Sequence, residues 1–162
     1  TDTGLSGVDE PSVSDAIPLG FDFKFYAGIY SEIYVSTSGA VGFDRASLEG
    51  SSTTRFVPSR DAPNNFIAPY LEPLRVNTEY YDGQVIPLRG GTAPNRIFVV
   101  EWRDAMDSFG DSYTFQLFLR ENGDILFQFL EDLSTWCRLL NLDRLIKGAQ
   151  DIVAKVIICI YA

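Results

Sequence analysis

The chain is predicted to be all-β: a mostly antiparallel β-sandwich with jelly-roll or immunoglobulin-like layering and a short N-terminal arm. Three observations carry this. Its 162 residues include 12 Phe and 8 Tyr against one Met, a bias towards side chains that suit pleated, half-buried surfaces. Gly or Pro interrupts the chain every few residues as far as Pro94, so the apolar runs between them are strand-sized. Several of those runs alternate apolar with polar residues, the period of two that turns one strand face inward and the other to water.

Taken in order, residues 1–16 read as the arm and residues 17–162 as one sandwich domain. IPLGFDFKFY (17–26) alternates Phe21, Phe23 and Phe25 with Asp22 and Lys24. EIYVST (32–37) is the next strand, Ser38-Gly39 a turn, and AVGF (40–43) the return. FIAPY (66–70) is a short apolar piece after Asn64-Asn65. NTEYYDGQVIPL (77–88) reads as two short strands around Asp82-Gly83, a strong hairpin dipeptide. NRIFVVEWR (95–103) reads as a buried strand. Residues 111–130 are the clearest element: Tyr113, Phe115, Leu117 and Leu119 alternate, Asn122-Gly123 turns, and Ile125, Phe127 and Phe129 alternate back. The tail is ambiguous. Apolar residues at 139, 142, 145, 146, 149, 152, 153 and 156 fit an amphipathic helix over about 137–155. Turns near Asp143 and Ala154 would instead divide it into strands at 135–141, 148–153 and 155–161.

Composition excludes several classes of function. A chain of this length buries about 70% of its unfolded surface and needs no metal to fold. A net charge of −9 and a pI near 4.4 oppose nucleic acid, whose affinity comes from Lys and Arg on phosphates, and anionic membrane surfaces. The longest apolar run, VIICI (156–160), falls far short of the ~20 residues of a membrane span, so no membrane insertion is expected. With no His there is no Ser-His-Asp or Cys-His catalysis and no His-ligated zinc. Cys137 and Cys159 either form one disulfide in an oxidising compartment or pack as small hydrophobes. The chain opens on Thr1 rather than Met, the pattern of a processed product or a trimmed segment.

Candidate chemistry is thin. Asp104/Asp107/Asp111, Asp61/Asn64/Asn65 and Glu79/Asp82 supply the oxygens calcium prefers, without EF-hand spacing; solvated turns are the simpler reading, and calcium is the one cofactor considered. Glu101 beside Trp102 suggests a glycosidase carboxylate, but such chemistry needs a pair at a set separation. A strand residue paired with Arg103 or Arg120 is simpler. No catalytic, cofactor-binding or metal residue is assigned, and the chain is read as a non-enzyme. Tyr26, Tyr30, Tyr70, Tyr80 and Tyr81 are candidates for stacking on a glycan. Self-association is the stronger option, because sheet edges accept a strand from a neighbour. The arm is the preferred donor, through Thr3, Leu5, Val8 and Val13, with KVIICIYA (155–162) as the other. Head-to-tail donation builds an open filament.

IPLGFDFKFYAGIYSEIYVSTSGAVGF, APNNFIAPY, GTAPNRIFVVEWRDA and DSYTFQLFLRENGDILFQF occur in this order. Together, over about residues 17–130, they resemble the nidogen-like (NIDO-like) extracellular β-sandwich domain of secreted and surface proteins of bacteria and archaea. That family carries a "YVSTNG-x-x-F" hairpin, an "IAPFW" segment, an "RFVVEW" strand and an "NGDI-x-F-x-Y" hairpin. The resemblance implies an extracellular or cell-surface location, and packing or turn roles for Tyr34, Val35, Gly39 and Phe43. The chain departs from it at Leu71-Glu72-Pro73-Leu74, where relatives carry further acids. In the tail, Thr135 to Asn141 and Gly148-Ala149-Gln150 align with family strands, so the resemblance favours strands over the helix. The expected function is an extracellular structural subunit that assembles with copies of itself into a filament or surface appendage by strand donation. The alternative is a non-catalytic adhesion module of a larger secreted protein, recognising a glycan or a surface protein.

Overall fold

A computed structural model describes Thr3, Leu5, residues 12–49 and 65–130, and the backbone of Ile160–Tyr161. Within these residues the strands are β1 (Ile17–Phe25), β2 (Gly28–Ser36), β3 (Ala40–Gly42), β4 (Phe66–Ile67), β5 (Gln84–Gly90), β6 (Ile97–Met106), β7 (Ser112–Arg120), β8 (Ile125–Phe129) and β9 (Ile160–Tyr161). They form two sheets, ordered β1-β2-β3-β4-β9 and β5-β6-β7-β8. Every ladder between neighbouring strands is antiparallel. The only helix among the described residues is one 3-10 turn, Arg45–Ser47, capped by the Asp44 carboxylate. The all-β antiparallel sandwich expected from alternation is the fold observed.

The alternation translates directly into packing. In β1, Leu19, Phe21, Phe23 and Phe25 point inward while Pro18, Gly20, Asp22 and Lys24 face water. Opposite them, β6 and β7 contribute Phe98, Val100, Trp102, Phe115, Leu117 and Leu119, all at most 1% exposed. Burying an aromatic or branched side chain of this kind contributes about 1.5–3 kcal/mol. Trp102 stacks on Phe115 with ring centroids 5.0 Å apart. Its indole N–H crosses to the other sheet and donates to the Ser36 carbonyl at 3.0 Å. That carbonyl also accepts the Gly39 N–H, closing the Ser38-Gly39 turn. Gly39 sits at φ +78°, and a Cβ there would lie 2.7 Å from the Tyr70 side chain, so glycine is required on both counts.

Two arginines tie the sheets together at one side. β1 bulges between Pro18 and Phe23, so that five steps of β1 span two of β2. The carbonyls of Pro18 and Gly20 accept from Arg89 Nε at 3.0 Å and from the Arg96 guanidinium respectively. Arg89 lies over the Phe98 ring and Arg96 over Phe21. Arg96 also holds Glu121 with its backbone N–H at 3.0 Å and Nε at 2.9 Å.

One reading is revised. Asp82-Gly83 is not the turn of a hairpin. Thr78 and Tyr81 bridge one another around Glu79-Tyr80, and Gly83 leads into β5. Its glycine serves close packing instead, since a Cβ would come within 2.6 Å of the Asp104 carbonyl. In the tail, Ile160–Tyr161 are strand, inside the 155–161 strand expected from the resemblance. The rest of the tail, with Cys137 and Cys159, lies outside the described residues.

Replacing Trp102 with Phe removes the hydrogen bond to Ser36 and leaves space beside Phe115. Urea unfolding should show a loss of about 2–4 kcal/mol. Glu121 generates a second expectation. The Arg96 side-chain and backbone N–H donors pull its pKa from the ordinary 4.5 down to about 2. A depressed folded-state pKa stabilises fully above the unfolded value and is lost as pH falls through the folded one. The stability difference between the native chain and Glu121→Gln should therefore be constant near neutrality. It should shrink between about pH 4.5 and pH 2.

Candidate functional site

The arm is held at both ends by the domain that follows it. Ser12–Ser14 continue the β1 side of β2. Ser14 N–H donates to Val35 C=O at 2.9 Å, Thr37 N–H to Ser12 C=O at 3.0 Å, and Val13 bridges Ser36. Side chains double these bonds, with Ser12 N–H on Thr37 Oγ1 and Val35 N–H on Ser14 Oγ, each at 3.0 Å. Arg45 then clasps the Ser14 carbonyl at 3.1 Å. Leu5 is 8% exposed and belongs to the main core cluster. Thr3 reaches the second sheet, where its N–H and Oγ1 both donate to the Val85 carbonyl, at 3.1 and 2.8 Å. Of the four expected donor residues, Thr3, Leu5 and Val13 thus lie against this chain's own domain, and Val8 lies outside the described residues.

This places an acceptor edge on β5. It is the first strand of its sheet, and Thr3 occupies its outer side at Val85. In an antiparallel ladder the N–H and C=O of one residue point the same way, alternating along the strand. Val85, Pro87 and Arg89 therefore present their backbone outward. Proline has no N–H, so the edge can extend a ladder around Val85 but is interrupted at Pro87. The sequence signal was present, since a proline inside a strand pattern marks an edge; the partner, 82 positions away at Thr3, was not readable. At the far edge of the first sheet, the other expected donor places Ile160 and Tyr161 opposite Ile67 and Phe66.

The acidic loops spend their oxygens on the backbone. Asp107, 3% exposed, accepts Phe109 N–H at 2.8 Å and Asp111 N–H at 3.0 Å on Oδ1, with the Tyr113 hydroxyl on Oδ2. It folds the 107–111 loop. Its charge also pushes the Glu72 carboxyl upward, after burial, the larger cause. Asn65 sits at φ +71° and bonds Tyr30 and Asp44; Asp61 and Asn64 lie outside the described residues. Glu79 and Asp82 are exposed. Among the described residues no three His, Cys, Asp or Glu side chains form a group able to hold a metal ion.

Glu101 pairs with Arg103 at Nε, 2.7 Å, rather than with Arg120, and its other oxygen takes the Gln116 amide. The tyrosines do not form one platform. Tyr26 and Tyr80 are exposed, Tyr30 packs on Phe43, and Tyr70 is buried against Tyr113 and Phe115. Burial and neighbouring Tyr113 and Asp107 raise the Tyr70 phenol above its ordinary range.

If Pro87 is what interrupts the β5 edge, Pro87→Thr restores an outward N–H and lengthens the ladder available to other chains. The variant should aggregate faster than the native chain in a thioflavin and light-scattering assay, at unchanged or slightly higher thermal stability.

No curated protein and no solved structure matches the chain. One family model does, the family described as NIDO related, over residues 1–137. The match runs from the arm through β1 to β8, and by it the chain belongs to the NIDO-related family.

Proposed function

We propose that this domain is a non-enzymatic structural module of an extracellular or cell-surface assembly, built by passing the N-terminal arm from one copy to the next. One observation carries the reading. The arm lodges Leu5 in the core and Thr3 on the outer edge of β5, while Ser12–Ser14 remain on β2. An arm anchored in this way can make the same contacts on a neighbour, so exchange replaces each bond by an identical one and costs little in enthalpy. The donor and acceptor surfaces of one copy are different, so one-way donation is head-to-tail, and it grows into a filament when the rotation between copies does not close a ring.

The family supports the location, since NIDO-like domains are extracellular modules in the resemblance drawn above. Among the described residues no helix is long and apolar enough to cross a membrane. The partner is another copy of the chain, and no step in this reading calls on a cofactor.

Electron microscopy of the full chain, isolated without denaturant, should show filaments with a repeat of one domain. Removing residues 1–14 should abolish them, with circular dichroism confirming a retained β fold. The milder Leu5→Ala should shift the equilibrium towards short oligomers. Dispersed monomers from the full chain, or filaments that survive loss of the arm, would sink the proposal.

A further inference from the structure

The outer face of the second sheet carries a groove on β6, β7 and β8, distinct from the β5 edge that receives Thr3. β6 and β7 pair in register except between Trp102 and Ala105, where three steps on β6 oppose two on β7. This is a bulge, a device that re-aims side chains. Asp104 within it stands at φ +48°, a conformation that non-glycine residues seldom adopt. Thr114 holds it, with Oγ1 accepting the Asp104 N–H at 3.0 Å, and Gly83 leaves room for its carbonyl. Beside the bulge opens a groove of about 350 Å³, whose lining includes Glu101, Arg103, Asp104, Gln116, Gln128 and Leu130.

Glu101 is the unexpected member. The outward face of an antiparallel sheet normally meets water, yet this carboxylate belongs to a residue only 7% exposed. A buried charge is costly and weak as a stabiliser of the fold. Here it orients two neighbours, the Arg103 guanidinium and the Gln116 amide. Arginine has five N–H donors, and the glutamine amide keeps a carbonyl acceptor. Both therefore retain hydrogen-bonding capacity towards the groove.

We infer that this groove is a binding site for a neutral glycan. Guanidinium, amide and carboxylate groups side by side offer paired donors and acceptors, the pattern that vicinal hydroxyls satisfy. Leu130, 74% exposed, supplies an apolar surface for the C–H face of a ring. Glu101 and Asp104 against Arg103 leave one net negative charge, in a chain of net −9, which opposes anionic ligands. The volume is at the lower end for small-molecule sites, the scale of a short saccharide. The polar groups stand on paired strands, so little ordering is needed on binding. The tyrosines considered for sugar stacking are not part of this site.

The test begins with the full chain on a glycan microarray, followed by NMR titration with the saccharide that gives the strongest signal. Saturable shifts are expected at the amides of Asp104, Thr114, Gln116 and Gln128. Gln128→Ala and Asp104→Gly should each weaken binding at least tenfold. Glycine adopts a positive φ without strain, so Asp104→Gly should also raise the melting temperature, which separates loss of the site from loss of the fold. A blank array, shifts centred elsewhere, or affinity unchanged in both variants would overturn the inference.

Discussion

Trp102 sends its indole N–H across the interior to the Ser36 carbonyl, and the facing of the two sheets depends on that bond. Trp102 is the largest fully buried side chain among the described residues, and a buried indole needs a partner for its one polar atom. Ser36 ends β2, where the Ser38-Gly39 turn begins and where Val13 of the arm bridges. Core packing, the β2–β3 turn and the anchoring of the arm therefore share one backbone position. A one-residue slip of β2 or β6 would turn every inward side chain to solvent and separate the indole from its acceptor.

The side of the sandwich at β1 and β5 is closed by devices that no ladder supplies. The β1 bulge turns two carbonyls away from β2, and arginines from the opposite sheet occupy them. On the same side the arm meets β2 at Val13 and β5 at Thr3. An edge strand left bare is an aggregation hazard, and here β5 is guarded by Thr3 at Val85 and by proline at position 87. The same contact that protects the isolated copy becomes, in the proposed assembly, the contact that joins it to the next.

Much of this was legible in the sequence because local periodicity and core placement agree. The β1 aromatics, the 111–130 hairpin and the Ser38-Gly39 turn each follow from alternation and turn chemistry alone. Of the two partners the sequence offered Glu101, Arg103 and Arg120, the structure selects Arg103, two positions along the same strand face. What was not legible depends on distant chain. Asp82-Gly83 has the signature of a hairpin turn, but Gly83 answers to the Asp104 carbonyl instead. The β1 bulge holds Gly20 at φ +88°, and a glycine inside a strand pattern is a bulge signal that the plain alternation of 17–26 hides. The bulge at Trp102–Ala105 has no such marker and depends on Thr114 and Gly83, which are distant in the chain. The groove beside Glu101 inherits that invisibility. In the arm, Leu5 and Val13 were identifiable as apolar residues in need of cover, whereas the strand edge that receives Thr3 was not.

The most direct measurement of whether the arm passes between copies is a photo-cross-link from position 3. Protein carrying p-benzoylphenylalanine in place of Thr3 would be prepared in ordinary and nitrogen-15 forms and refolded together. After illumination, the peptides joined to the Val85 region would be weighed. Strand donation between copies predicts cross-linked pairs in which one peptide is labelled and the other is not. Cross-links made only between peptides of the same label would show that each arm stays on its own domain, and would contradict the account.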